Sequence, residues 1–239
     1  MRLVVARDAD QLAEMAAELF RERVRARPEL AMAVPAGRTP RRMYRLMEAR
    51  QATAPVNYSR MRVFSVDELC PPAPADGYFW RQVRAEFLRW AGVPLERCRP
   101  FAVDAGNLES MCADYERAIA TQGGLDLVML GLGPNGHVAS NEPPAAFDSL
   151  TRPVRLLAST VDYILTDDVI QGAVGDRAVT LGVATILAAR EVVVLVSGRG
   201  KRDALGRLLD GPITPELPAS ALRRHPACTV LADAEARPD

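Results

Sequence analysis

Residues 125–143 read LDLVMLGLGPNGHVASNEP, and this stretch decides the fold. Leu125 to Leu130 is a short, nearly unbroken apolar run, the pattern of a strand covered on both faces. Three glycines and a proline follow at once, which dictates a tight loop able to present backbone donors. Working outward, the same rhythm recurs. EVVVLV at 191–196 predicts a second buried strand, and 3–5, 30–34, 62–66 and 229–231 predict four more. Between them lie longer amphipathic stretches. In the first, Leu12, Met15, Ala16 and Leu19 fall at i, i+3, i+4 and i+7, which predicts a helix over 11–25; others are expected from Thr39 to about Arg50 and over 109–121. Strands alternating with helices predict an α/β, Rossmann-like fold with a largely parallel sheet flanked by helices. No repeat or long linker interrupts residues 1–239, so a single domain is expected. The Pro-rich stretch 71–77 reads as a loop beside a pocket.

Composition narrows the function. Thirty basic and thirty acidic residues cancel in a chain that is 49% hydrophobic. That balance carries no footprint for nucleic acid or an anionic membrane. No run approaches the ~18 apolar residues of a membrane span, and the N-terminus lacks the apolar core of a secretion signal. Cys70, Cys98, Cys112 and Cys228 are scattered without a C-x-x-C pair, and His137 and His225 lie far apart. These features fit reduced thiols in a cytoplasm and no metal centre. Lys201 is the single lysine among the thirty basic residues, and only four asparagines occur. Against such a bias, a lone lysine is a functional suspect.

In a parallel α/β sheet, ligands sit beyond the carboxyl ends of the strands. Four such loops stand out. In Pro35-Ala36-Gly37-Arg38-Thr39-Pro40, Thr39 is a predicted N-cap, and Gly37 permits close backbone approach. The helix start makes an anion site that Arg38 reinforces, although a capped turn with no ligand fits the same residues. Asp67 and Glu68 end the 62–66 strand. They either cap the following turn or place a general base and a polar contact at the site. The 131–143 loop carries Asn135, Gly136, His137 and Glu142, and a histidine five residues before a glutamate can form a proton-transfer dyad. Ser197-Gly198-Arg199-Gly200-Lys201 opens a helix after EVVVLV. There the dipole disfavours a cation unless an anion is bound. His225, followed by Pro226, reads as structural.

Together these loops resemble the glucosamine-6-phosphate deaminase / 6-phosphogluconolactonase superfamily. PAGRTP, FSVDEL, GLDLVMLGLGPNGHVASNEP, AVTLGVATIL, EVVVLVSGRGKRDAL and LPASALRRHP occur in the expected order. The A-x-N-E-P ending of the third block is similar to the deaminase branch; lactonases typically continue G-H-x-A-S-L-F-P. The resemblance implies isomerisation of an amino-sugar phosphate with loss of ammonia, needing no metal or organic cofactor. By that analogy Asp67 moves a proton between C2 and C1, and His137 with Glu142 opens the sugar ring. Gly37, Thr39 and Lys201 hold the 6-phosphate.

Two positions depart from the deaminase pattern. Asn135 stands where deaminases carry an aspartate; its amide is expected to accept the imidazole N–H but supplies no charge. The segment STVDYILTDDV (159–169) lacks the phosphate-binding arginine of the family, a role Arg38 can take. A lactonase, or a catalytically impaired sugar-phosphate sensor, remains an alternative. The expected partner is a small phosphorylated sugar, with no nucleic acid or membrane. The expected assembly is a monomer or small homo-oligomer.

Overall fold

The apolar runs read as strands are strands in the computed structural model, which describes residues 1–238. The chain begins with β1 (Arg2–Ala6), α1 (Ala9–Ala26), β2 (Ala31–Val34), α2 (Arg38–Arg50), β3 (Arg62–Ser65) and β4 (Asp67–Leu69). A helical stretch runs from α3 (Tyr78–Val83) through a π-helical turn at Arg84–Leu88 into α4 (Arg89–Ala91). Then come β5 (Cys98–Arg99), α5 (Leu108–Thr121), β6 (Leu127–Gly131), β7 (Arg152–Arg155) and α6 (Ala158–Leu165). The last third holds β8 (Arg177–Thr180), α7 (Val183–Leu187), β9 (Glu191–Val196), α8 (Arg202–Asp210) and β10 (Cys228–Asp233). Local chemistry sets the boundaries of the long helices. Asp8 caps α1 by accepting the Gln11 N–H at 2.8 Å, and Asn107 caps α5 through the Ser110 N–H at 2.9 Å.

Seven strands form one parallel sheet in the order β1-β10-β9-β6-β2-β3-β5. Alternate side chains along each strand enter opposite cores. Ala31, Ala33, Val128, Leu130, Val192 and Val194 pack towards α5 and α8. Met32, Val34, Leu127, Met129, Val193 and Leu195 pack towards α1 and α2. Burial on both faces is why EVVVLV and LDLVML carry so few polar residues. Each fully buried aliphatic side chain there contributes roughly 1.5–3 kcal/mol.

The strand order reverses beside β2. From β2 the chain steps outward to β3 and β5, then returns to β6 and steps the other way to β9 and β10. At such a switch point the loops leaving neighbouring strands diverge and open a crevice. A second, antiparallel sheet of order β4-β8-β7 stands beside this end. Val66 is the crossing between the sheets: β3 ends at Ser65, β4 begins at Asp67, and the Val66 carbonyl accepts the Leu181 N–H at 2.9 Å. The expected strand over 62–66 is thus interrupted, and Asp67 belongs to the small sheet.

Candidate active site

The loops leaving β2, β3, β6 and β9, four strand ends drawn together by the sheet order, surround one cleft. Gly37, Arg38 and Thr39, then Asp67, then Gly131, Gly133, His137 and Ala139, then Ser197 and Lys201 line it. These loops lie far apart in sequence; tertiary structure brings them together.

The Asp67 carboxylate is held by one side chain. Its Oδ2 accepts the Ser140 hydroxyl at 2.7 Å, and the Ser140 N–H donates in turn to Thr180 Oγ1 at 3.0 Å. Thr180 is the residue paired with Asp67 across β4 and β8. Burial pushes the Asp67 carboxyl above its usual range; the Ser140 hydroxyl and the nearby His137 pull it partly back. With one oxygen fixed, the other is the atom free to exchange a proton in the cleft.

Opposite Asp67, the glycine loop presents His137. Its ring lies flat on Gly133, where a Cβ would stand 2.4 Å from the imidazole. The turn closes through the Gly133 N–H to the His137 carbonyl at 2.9 Å and the Gly136 N–H to the Gly133 carbonyl at 3.0 Å. Nδ1 faces Glu142 Oε2 at 3.6 Å, which leaves Nε2 as the nitrogen available to a ligand. Burial raises the Glu142 carboxyl, but the facing His137 ring, Thr160 and the Asn135 amide outweigh it and hold the group below the usual range. Glu142 is therefore a charged partner for an imidazolium.

Three expectations in this half need correction. Asn135 does not accept from the imidazole: its Nδ2 donates to Glu142 Oε2 at 2.7 Å, and its Oδ1 accepts the His137 backbone N–H at 3.1 Å. Those partners fix the amide orientation, since a carboxylate needs a donor and an N–H needs an acceptor. Gly136 is not a substrate contact. Its N–H and C=O are both bonded within the protein, its φ is +90°, and a Cβ there would strike Leu217. Glu68 is not a substrate contact either. It is buried, with Oε1 accepting from Leu69 and Phe79 and Oε2 from Trp80. It thus caps the start of α3, the alternative role its position allowed. Burial pushes its pKa up to about 7 against these three donors.

At the other end of the cleft stands Lys201. Among the described residues no carboxylate lies within ion-pair range of its Nζ, which sits 4.6 Å from the centre of the Tyr163 ring. Burial, and then the neighbouring Arg38, lower its pKa to about 8. Arg38 covers the same ring at 5.2 Å and also bonds Thr166 and faces Asp167 at 3.6 Å. Thr39 is not the N-cap. Gly37, with φ +93°, holds that position, so Thr39 and Arg38 occupy the first turn with backbone N–H groups that have no intrahelical partner. Gly37 itself cannot donate to a ligand here, because its N–H is bonded to Gln82 Oε1 at 2.8 Å.

Residues outside these loop motifs contribute as well. Phe79, Tyr163, Ile164 and Asp167 line the cleft, and Ser140 orients Asp67. The first four lie on elements whose place in the fold no local pattern marks. The Pro-rich 71–77 loop leads into α3 without lining the cleft. Asn141 is wholly structural, donating to Val138 and Leu181 carbonyls and accepting from Arg152. His225 is buried against the Ala189 carbonyl, as expected.

Comparisons with known proteins agree with this geometry. Residues 6–231 match the family described as glucosamine-6-phosphate isomerases/6-phosphogluconolactonase. A glucosamine-6-phosphate deaminase of Shouchella clausii is 31% identical over 99% of this chain and 96% of its own. Among solved structures, a monomeric glucosamine-6-phosphate deaminase superposes with a TM-score of 0.92 at 28% identity, covering 99% of this chain and 98% of that one. The 6-phosphogluconolactonase of Trypanosoma brucei shares the fold at a TM-score of 0.78 and 21% identity, covering 98% and 97%. The four strand-end loops and these likenesses lead to one conclusion: the chain belongs to the glucosamine-6-phosphate isomerase/6-phosphogluconolactonase family.

Proposed function

We propose that the chain converts glucosamine 6-phosphate and water to a ketose 6-phosphate and ammonia. One observation carries the reading: a carboxylate with one oxygen held by Ser140 lines the same cleft as a His137–Glu142 pair and a lysine that has no carboxylate partner among the described residues. Lys201, with Arg38 and the first turn of α2, takes the phosphate. His137, with Nδ1 towards Glu142, takes the proton of the anomeric hydroxyl at Nε2 and delivers it to the ring oxygen, opening the sugar. Asp67 then removes the proton at C2 and returns it to C1, while the C1 oxygen gains a proton and the amine gives one up, leaving an imine that water hydrolyses to ketose and ammonia. Burial raises the Asp67 pKa above that of an exposed aspartate, which makes it the stronger base for taking the C2 proton. Each step is a proton transfer or a hydration, so the protein's own side chains suffice.

The relatives named above support the deaminase over the lactonase, and so does the bond of the Ser140 hydroxyl to Asp67, which makes that serine an orienting group. The four buried free cysteines support a reducing, cytoplasmic setting. Among the described residues no helix is long and apolar enough to cross a membrane. The test is ammonia release from glucosamine 6-phosphate, run beside a pH-stat assay with 6-phosphogluconolactone. Wild-type protein should release ammonia, and Asp67→Asn should do so at least about 10²-fold more slowly with little change in affinity. Acid release from the lactone alone would favour the hydrolase. Thermal stabilisation by sugar phosphates without turnover of either would mean a sensor.

A further inference from the structure

We infer that Gln82 is a positioning residue for the anion-binding turn, setting affinity for the phosphate group without touching it. Gly37, at the head of α2, has φ +93° and ψ −169°, a conformation open to glycine and strained for any other residue. A Cβ there would meet nothing within 4 Å, so packing does not demand the glycine; the backbone path does. Both backbone polar groups of this residue meet one distant side chain. Gln82 reaches across from α3 and closes both. Its Oε1 accepts the Gly37 N–H at 2.8 Å, and its Nε2 donates to the Gly37 carbonyl at 2.8 Å. Nε2 also donates to Glu86 Oε2 at 3.1 Å, which fixes which end of the amide carries the oxygen. Gln82 is 4% exposed and does not line the cleft.

The clamp is itself anchored at two points. Glu68, next to the proposed base, accepts the Phe79 and Trp80 N–H groups and so fixes the start of the helix that carries Gln82. Tyr44 on α2 donates to the Pro35 carbonyl at 2.8 Å and steadies the other side of the turn. Gln82 thereby aims the free N–H groups of Arg38 and Thr39 into the cleft beside Lys201. Backbone donors bind an anion well only when held in place before it arrives. The inference rests on the phosphate reading of that turn and is independent of the reaction.

The experiment is calorimetric titration of inorganic phosphate into the wild-type protein and into Gln82→Met, which keeps the volume and removes both bonds. Titration of Gln82→Glu adds a third arm, since it keeps an acceptor but sets a carboxylate against the Gly37 carbonyl. The Met variant should bind phosphate about tenfold more weakly, and the Glu variant more weakly still. With glucosamine 6-phosphate, KM should rise by the same factor while kcat stays within about threefold, a split that general destabilisation would not produce. In the unliganded wild-type protein the Gly37 N–H should already be protected from hydrogen exchange. Phosphate affinity in a folded Met variant within twofold of wild type overturns the inference, and so does an unprotected Gly37 N–H. A wild-type protein that binds phosphate through this clamp but releases no ammonia would overturn the proposed reaction and leave the clamp standing.

Discussion

Gly133→Ala isolates the placement of the imidazole. Gly133 does not have a left-handed φ, so alanine is conformationally acceptable there, and the only insult is the added methyl. That methyl would lie 2.4 Å from Cε1, Nδ1 and Nε2 of His137. The backbone cannot retreat easily, because Gly133 holds both bonds that close the turn. The ring must therefore recede by about 1 Å to reach ordinary van der Waals contact, and it leaves a partner already 3.6 Å away. A misplacement of about 1 Å can cost on the order of 10² in rate. Overpacking also costs roughly 1–3 kcal/mol of stability. Ammonia release from glucosamine 6-phosphate should fall about a hundredfold in kcat, while the affinity for inorganic phosphate at the other end stays within twofold. A kcat within threefold of wild type in the folded variant would refute both the role of His137 and its seating on Gly133.

Two further outcomes concern charge. Lys201 is protonated in the free protein only below about pH 8, so phosphate affinity should weaken as pH rises past that value, by up to about tenfold per unit. Lys201→Arg should stay flat over the same range because a guanidinium does not titrate there, and Lys201→Met should bind weakly and flatly; an unchanged slope in the Met variant would assign it to another group. Asn135→Asp removes a donor and sets a second carboxylate beside Glu142, where the amide nitrogen now lies 2.7 Å away. One proton should then be shared by the pair, moving the acid limb of the kcat/KM profile upward in pH, and an unmoved limb would place residue 135 outside the proton-transfer network.

The strands and long helices were legible because their causes are local. LDLVML and EVVVLV are buried on both faces of the sheet, and α1 carries its apolar residues at helical spacing. The loop residues Asp67, His137, Glu142 and Lys201 were legible too, because each is an ionisable type at a strand end where chemistry collects. Chain order alone did not reveal the short elements. β4, β7 and β8 are three or four residues each, too short for periodicity to register, and they pair only across the fold.

What each ionisable group does depended on distant partners. Asp67 and Glu68 are adjacent and chemically alike, yet Asp67 meets the hydroxyl of Ser140 while Glu68 meets the backbone of α3. Alternate residues of a strand face opposite ways, so neighbours in sequence enter different surroundings. Asn135 could be named from its loop, but its role turns on whether Glu142 or the imidazole lies nearer, a matter of ångströms. Gln82 carried no local signal at all, because its partner Gly37 is 45 residues away. Composition and pattern dictate which segments form strands and which residue types stand at their ends. Only the reversal of strand order beside β2, which gathers those ends into one cleft, assigns each side chain its partner and so its work.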